Sequence, residues 1–190
     1  MPNQLMPFNE EQFDRCSLWL ATKLGRPVTQ YDLVKFHVMT DIYHVLQYGR
    51  PVIGGALVKW KFGPVVKPAY FRLTSQANRF EQGKTVIGPL AVEAGRSNVY
   101  KFTPAQGASV DEDEFSQSEI EAMEAALQIV RLSFAKSQGF FHEPMASFVG
   151  RVWTDAEFDK PIDWNSIVDA YDAQFNTNHQ HIKALLALGV

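Results

Sequence analysis

The fold is decided by the stretch that reads Asp41-Ile42-Tyr43-His44, then Tyr48-Gly49-Arg50-Pro51-Val52, and then Lys59-Trp60-Lys61-Phe62-Gly63-Pro64-Val65-Val66. Gly49 can take the left-handed conformation that ends a helix, and Pro51 cannot continue one. Pro64 suits the first turn of a new helix, where its missing N–H costs nothing. The stretch therefore predicts a helix that stops at Gly49, a short strand over about residues 56 to 62, and a second helix over about residues 64 to 73.

The helix that stops at Gly49 is predicted to cover about residues 30 to 48 and to be buried. Its apolar side chains form two stripes, one of Leu33, Phe36, Met39, Tyr43 and Leu46, the other of Val34, Val38, Ile42 and Val45. A helix that is apolar on most of its circumference lies at the centre of a protein. His37, Asp41 and His44 share the remaining polar stripe, since they are spaced by four and three residues.

That polar stripe has two interpretations. Two imidazoles and a carboxylate are a known set of metal ligands. They are equally suited to a hydrogen-bonded polar seam between packed helices, in which Asp41 would orient His44. The residues alone leave both interpretations open, together with a role at the edge of an interface.

The order of a lysine, an apolar run, Asp-x-x-His, Tyr-Gly-Arg-Pro and Lys-x-Gly-Pro-Val resembles the Panacea domain family, which includes the SocA-like and GepA-like phage-associated antitoxins. The match runs from Lys35 to about Leu73 and continues more weakly to about Trp153. Its motif positions in this chain are Asp41, His44, Gly49, Pro51, Gly63 and Pro64. His37 falls where the family has an apolar residue, so a metal site built on all three stripe residues would not be a family property, and we assign no metal ligands.

The resemblance implies a small cytoplasmic antitoxin that binds and neutralises a toxin encoded by an adjacent gene. In the SocA branch, the protein instead delivers its toxin to an AAA+ protease. No catalytic motif comes with the resemblance, so it implies a protein that is not an enzyme and needs no cofactor. It leaves the toxin and the oligomeric state unspecified.

The remaining chain predicts more helices and a small β element. Asn9 is a helix cap with Gln12 as its capping-box partner, and Phe8 and Phe13 form a hydrophobic staple. Further helices are predicted after Thr29, Ser116 and Asp163, near residues 140 to 150, and from either Asn176 or Asn178 to Leu188. Residues 84–92 and 98–103 read as two strands of a hairpin.

We therefore expect a mainly α fold with a small antiparallel β-hairpin or sheet inserted between helices. It forms one domain over residues 1–190, with a core at about 8–153 and a C-terminal helical segment at about 161–189.

Charge is distributed unevenly along the chain. Residues 50–101 contain nine basic and two acidic residues, a net +7, so the rest carries −10 of the overall −3. Such asymmetry favours a basic face for an acidic partner, although lysines scattered over different faces would have the same composition. The aromatic and basic residues predicted to contact a partner protein are Tyr48, Arg50, Lys59, Trp60, Lys61 and Lys67. The alternative for Trp60 is a place in the core.

Other classes of function are poorly supported. Gly83-Lys84-Thr85 imitates the end of a phosphate-binding loop, but Asn78 stands where its earlier glycine is required. His142-Glu143 lacks the second histidine of a zinc peptidase, and no Gly-x-Ser-x-Gly elbow is present. A nucleic-acid-binding regulator would use the same basic segment, yet the pI is about 5.9 and no zinc-ligand spacing occurs.

The single cysteine, Cys16, excludes an intramolecular disulfide, and no apolar run is long enough for a membrane span, so a cytoplasmic protein is expected.

Overall fold

A computed structural model describes residues 6–75, 85–94, 100–135 and 148–188. Within these ranges the helices are α1 (Glu10–Leu24), α2 (Gln30–Tyr48), α3 (Lys67–Ser75), α4 (Gln117–Ala135), α5 (Phe148–Asp155), α6 (Trp164–Phe175) and α7 (Gln180–Leu188). The strands are β1 (Val28–Thr29), β2 (Leu57–Trp60), β3 (Gly63–Val66), β4 (Thr85–Ile87), β5 (Leu90–Ala94) and β6 (Tyr100–Pro104). The predicted class, mainly α with a small antiparallel β insertion, is confirmed.

The central element is α2, and its ends are where the sequence predicts them. The Thr29 side chain accepts the Asp32 N–H, while the Asp32 carboxylate accepts the Thr29 N–H, so the two form a reciprocal cap. Gly49 ends the helix with a φ of 72°. Most of the helix is buried, and it packs chiefly against α4, with α1, β3 and α7 on other sides. The prediction of a central helix is thus confirmed.

The first helix is capped as predicted except at one side chain. Asn9 accepts the Gln12 N–H at 3.1 Å, and the Phe8 and Phe13 rings lie 5.6 Å apart. The Gln12 side chain does not return to the cap, because its Nε2 donates to Glu119 of α4 at 3.2 Å. A capping box is therefore wrong at this helix. It is right at α4, where Glu119 accepts the Ser116 N–H at 2.8 Å.

The Gly63-Pro64 corner differs from the prediction. Gly63 and Pro64 begin β3, which pairs with β2 through the matches Trp60 with Gly63 and Lys59 with Pro64. The expected short helix is present as α3, but it begins only at Lys67, so its predicted start at Pro64 is wrong. The φ of proline suits a strand as well as a helix, and a two-stranded sheet has an edge where the missing N–H is tolerated. Pairing with β2 decides between the two.

The second sheet has the strand order β1-β6-β5-β4, with every pair antiparallel. The pairing of β5 with β6 agrees with the predicted hairpin, but residues 84–92 are not one strand. The chain reverses at Gly88-Pro89, where Gly88 has a φ of 54°, and β4 folds back on β5. Strand β1 has only two residues, too few for a recognisable pattern.

Several predicted features lie outside the described residues: most of the turn at 93–97, the helix end at Gly139 and the start of the short helix at 140–150. Within the described part, α6 and α7 agree with their predicted caps, since Asp163 accepts the Asn165 N–H and Asn178 accepts the Gln180 N–H. Cys16 is buried in the core. No helix among the described residues is long and apolar enough to cross a membrane.

Candidate functional site

The Asp41 carboxylate holds the loop that follows α2. Its Oδ1 accepts the backbone N–H groups of Val52 and Ile53 at 2.8 and 2.9 Å. Burial raises the pKa of Asp41 to about 7, although the N–H groups of Ile53, Val52 and Gly54 act in the opposite direction by stabilising the carboxylate. The Asp-x-x-His and Tyr-Gly-Arg-Pro motifs lie close together in the sequence. In the structure they are joined by the Asp41 side chain, which binds the backbone just after the end of its own helix.

His44 fastens the same loop one turn further along α2. Its Nδ1 lies 2.7 Å from the carbonyl oxygen of Arg50, and its Nε2 lies 3.1 Å from the Ser118 hydroxyl on α4. An Nδ1–H that donates to the carbonyl leaves Nε2 to accept from Ser118. Burial lowers the pKa of His44, which favours this neutral form. Asp41 and His44 thus act side by side on residues 50–53, and the expected orientation of His44 by Asp41 is wrong.

His37 faces a different neighbour. It is fully buried, its Nε2 lies 2.8 Å from the Ser17 hydroxyl of α1, and its ring lies 4.4 Å from the ring of Phe13. Burial lowers the pKa of His37 to about 3, so the imidazole stays neutral. Among the described residues, no group of three His, Cys, Asp or Glu side chains is arranged to hold a metal ion. The stripe forms a buried polar seam with three separate sets of partners.

A lysine in the middle of α2 is the most unusual charged residue of the fold. Lys35 is only 2% exposed, and its Nζ donates to the carbonyl oxygen of Pro64 at 2.9 Å. The Nζ also lies 5.5 Å from the Tyr31 ring centroid. Burial lowers the pKa of Lys35 to about 7. In the sequence, Lys35 marks only where the family resemblance starts. Its position between Val34 and Phe36 of an almost wholly apolar helix was the available signal.

The backbone of β3 passes directly over the Lys35 amine. Gly63 has a φ of 104°, and a Cβ atom at this position would lie 2.5 Å from the Lys35 Nζ. The backbone conformation favours glycine here, and a Cβ would also have to displace the end of the Lys35 side chain. The Gly63-Pro64 corner covers the buried Lys35 amine. The local sequence of the corner does not reveal this contact.

Beside this corner a pocket of about 550 Å³ opens between the first turns of α2 and the β2–β3 hairpin. The described residues that line it are Thr29, Gln30, Tyr31, Val34, Lys35, Trp60, Lys61, Phe62, Gly63, Val65, Tyr70 and Phe158. They include five aromatic rings and two lysines but no aspartate or glutamate. The described lining of the pocket is therefore mainly aromatic and apolar, with the side chains of Lys35 and Lys61 as its charged groups.

Exposed aromatic side chains surround the pocket. We define the aromatic cluster as Trp60, Phe62, Tyr70, Phe71 and Phe158. Phe62, Phe71 and Phe158 are 63%, 49% and 67% exposed. The Trp60 ring lies 4.5 Å from that of Tyr70 and 5.9 Å from that of Phe71, both edge-on. Exposed rings held together on a short hairpin and its neighbours form a surface that can bury much area against another protein.

Three of the predicted partner-binding residues have internal partners at the end of α5 and on the loop that follows it. The Lys59 Nζ donates to the carbonyl oxygens of Thr154 and Ala156 at 2.8 and 2.9 Å. Trp60 Nε1 and Lys67 Nζ both donate to Asp159, at 2.9 and 3.0 Å. These side chains therefore attach the β2–β3 hairpin and the start of α3 to the end of α5 and the loop after it.

The other predicted residues lie in two places. Lys61 is exposed at the tip of the hairpin, with its Nζ 5.4 Å from the Phe62 ring. Tyr48 and Arg50 lie at the far end of α2, and Tyr48 is 13 residues beyond Lys35. At a rise of about 1.5 Å per residue, that is roughly 20 Å along the helix axis. The structure thus does not gather all six predicted residues into one surface.

The basic segment is also partly neutralised within the fold. Arg72 makes ion pairs with Glu10 and Asp14, and Lys101 of β6 stands opposite Glu93 of β5. With Lys59 and Lys67 engaged as above, much of the positive charge of the described residues has nearby acceptors. Arg79, Lys84 and Arg96 lie outside the described residues. Among the described basic residues, Lys61 is the one that both lines the pocket and lies on the β2–β3 hairpin.

Comparison with known proteins adds no relative: no family model matches the chain, and neither a curated protein nor a solved structure matches it.

Proposed function

We propose that this protein is an antitoxin-type binding protein, which neutralises a toxin encoded by an adjacent gene through direct contact. The observation that carries the proposal is the exposure of Phe62, Phe71 and Phe158 around Trp60. Clustered exposed rings of this kind are typical of protein-binding surfaces, because they bury a large apolar area at a small cost in side-chain entropy. The resemblance of residues 35–73 to the Panacea family supplies the class of partner.

The proposal modifies the contact surface expected from the sequence. Lys61 stays at its centre because it is exposed beside Phe62. Trp60, Lys59 and Lys67 contribute indirectly, by fixing the hairpin and the start of α3 to residues 154–159. Tyr48 and Arg50 would touch only a partner that extends along α2. The proposed activity needs no catalytic residue, cofactor or metal, and it places the protein in the cytoplasm.

The decisive experiment is coexpression with the neighbouring gene product. We expect the protein to restore growth of cells that produce the toxin, and the two chains to copurify. The double substitution Phe62→Asp with Phe158→Asp should abolish rescue, because it places two charges in a contact that excludes water. Leu132→Asp on α4 is the matched control, since Leu132 is 48% exposed but lies on another element. Equal rescue by the double variant and the control would reject the aromatic cluster as the interface.

The same experiment separates direct inhibition from proteolytic delivery. If the protein inhibits by contact, toxin levels stay constant and the complex accumulates, with or without the host's AAA+ proteases. If it is an adaptor, toxin levels fall and rescue is lost when the protease is deleted. Tight duplex binding at physiological salt, without any protein partner, would favour the nucleic-acid-binding regulator.

A further inference from the structure

An exposed cation lies beside the rings of the aromatic cluster, and the described part of the fold does not match it with a carboxylate. Lys61 is at the tip of the β2–β3 hairpin, with its Nζ 5.4 Å from the centre of the Phe62 ring. Among the described residues, no carboxylate lies within ion-pair distance of Lys61. Lys59 and Lys67 differ, because they donate to carbonyl oxygens at the end of α5 and to Asp159. Lys61 is therefore free to pair with a charge that another molecule brings.

The acids near the pocket are directed elsewhere. The Asp159 carboxylate accepts Trp60 Nε1 and Lys67 Nζ, each at 2.9 Å. These two donors, Trp60 first, hold the pKa of Asp159 below its ordinary value. Glu157 lines a separate cleft beside α5 and α6. The described lining of the aromatic pocket contains no aspartate or glutamate, so its charge is positive.

The walls of the pocket are fixed by contacts within the fold. The Trp60 ring meets the Tyr70 ring edge-on at 4.5 Å, and its indole N–H is held by Asp159. The Trp60 carbonyl oxygen accepts the indole N–H of Trp153 at 2.9 Å. A pocket whose aromatic walls are already ordered can bury an apolar side chain at a small cost in entropy. Its volume of about 550 Å³ lies within the range of about 300–1,000 Å³ that is usual for binding pockets.

We propose that this pocket and Lys61 together bind a segment of a partner protein in which an aromatic residue is flanked by acidic residues. The aromatic side chain enters the pocket among Trp60, Tyr70 and Phe158, and a neighbouring carboxylate pairs with Lys61. Acidic flanks follow from charge complementarity, because the charged residues of the described lining are lysines. The inference rests on the proposed function, since it names the chemistry by which the toxin is recognised.

The test uses three blocked peptides and no toxin. The first is acetyl-Gly-Asp-Phe-Asp-Gly-amide, the second has lysine in place of both aspartates, and the third has alanine in place of phenylalanine. Because both ends are blocked, the side chains are the source of charge. Nuclear magnetic resonance titration of the isotope-labelled full chain measures affinities into the millimolar range. We expect the first peptide to bind about tenfold more tightly than either of the others at low salt, and its margin over the lysine peptide to shrink at high salt.

Two pairs of variants locate the contact. Lys61→Glu should remove the preference for the acidic peptide over the lysine peptide. Arg131→Glu makes an equal change of charge at an exposed residue of α4 and should retain that preference. Phe158→Ala should weaken binding of the acidic peptide by about fivefold, since it removes an aromatic wall. Phe175→Ala, at a residue of α6 that is 51% exposed, should leave the affinity unchanged.

The proposal is overturned if the acidic and lysine peptides bind equally, or if the acidic peptide does not bind. It is also overturned if each variant behaves like its control. These outcomes are distinguishable from failure of the antitoxin function, which the rescue of growth tests. Rescue without peptide selectivity would reject the acidic aromatic segment alone, and peptide selectivity without rescue would reject the antitoxin function alone.

Discussion

The Oδ1 atom of Asp41 lies 2.8 Å from the backbone nitrogen of Val52, eleven residues further along the chain. This contact closes a loop at the end of the central helix, and Ile53 donates to the same oxygen. The side chain is completely buried, so water cannot replace it as an acceptor. The relationship makes Asp41 a structural residue whose loss would leave two buried N–H groups without their acceptor.

Asp41→Ala is therefore expected to lower the free energy of unfolding by about 2–4 kcal/mol, since each orphaned buried donor costs about 1–3 kcal/mol. Asp41→Asn is the matched control, because its amide oxygen can still accept both N–H groups. It should cost about 1 kcal/mol or less. Denaturant titration measures both values, and similar losses in the two variants would show that the acceptor is not what matters.

Gly63→Ala should destabilise the protein more than an ordinary substitution at a glycine with positive φ. The new Cβ would lie 2.5 Å from the Lys35 Nζ and displace the amine from the Pro64 carbonyl. Gly107→Ala is the control, because Gly107 has a φ of 82° and nothing lies within 4 Å of its Cβ position. We expect about 1–2 kcal/mol of destabilisation at Gly107, from the backbone alone. At Gly63 the loss should be about 1–3 kcal/mol larger.

A double-mutant cycle identifies the cause of that extra loss. If the Lys35 amine is the obstacle, combining Gly63→Ala with Lys35→Met should cost less than the two single variants added together. The expected interaction energy is about 1 kcal/mol or more, obtained from thermal or denaturant unfolding. Strict additivity would attribute the whole effect to the backbone of Gly63.

Lys59 and Lys61 should respond differently to charge reversal although one residue separates them. Lys59→Glu would replace a donor to the Thr154 and Ala156 carbonyls with a negative charge at the end of α5. We expect a loss of about 1–3 kcal/mol. Lys61→Glu, at the exposed hairpin tip, should change stability by less than about 0.5 kcal/mol. Melting curves test this, and an unchanged melting temperature for Lys59→Glu would mean that the hairpin does not depend on this contact.

The free energy of unfolding should also change with pH above about 7, because the Lys35 amine titrates differently in the folded and unfolded states. Its pKa is lowered from 10.5 to about 7 by burial, so between these values the unfolded chain binds the proton and the folded protein does not. The free energy of unfolding therefore rises with pH across this window, by at most about 1.4 kcal/mol per pH unit, and the penalty is complete below pH 7.

The measurement compares the parent with Lys35→Met between pH 7 and 9. The Cys16 thiol, whose pKa burial raises in the folded protein, begins to ionise in the unfolded chain within this range, but it is present in both proteins and its contribution cancels in the comparison. The stability of the parent should gain on that of the variant as the pH rises. Parallel curves for the two proteins would show that the Lys35 amine keeps an ordinary pKa.

The helices were predictable because their signals are local. Thr29 and Asp32 cap α2, Gly49 ends it, and Ser116 with Glu119 begins α4, all within one turn of the chain. The burial of α2 also followed from its apolar circumference. The conformation of Pro64 did not follow, because its φ suits a strand and a helix, and pairing with Lys59 decides between them. The reversal at Gly88-Pro89 was hidden by the β-forming residues on both sides.

The candidate site was harder to predict from the sequence than the helices were. Lys59, Trp60 and Lys61 were identified as part of an aromatic and basic run. Phe62, Phe71 and Phe158 were not, since their exposure depends on how α3 and the loop near Asp159 pack around the hairpin. Asp41 and His44 were recognised as a motif without their partners. Only contacts across the fold reveal that both side chains hold residues 50–53.

By itself, the sequence determined where α1, α2 and α6 begin and end and that α2 is the centre of the fold, because caps, stops and apolar periodicity act over a few residues. The tertiary structure decided that Gly63 lies over the Lys35 amine and that Lys59 caps α5 rather than facing solvent. It also decided which rings surround the pocket. Such relationships join residues far apart in the chain, and the free energy that establishes them comes from packing and desolvation, which no local pattern records.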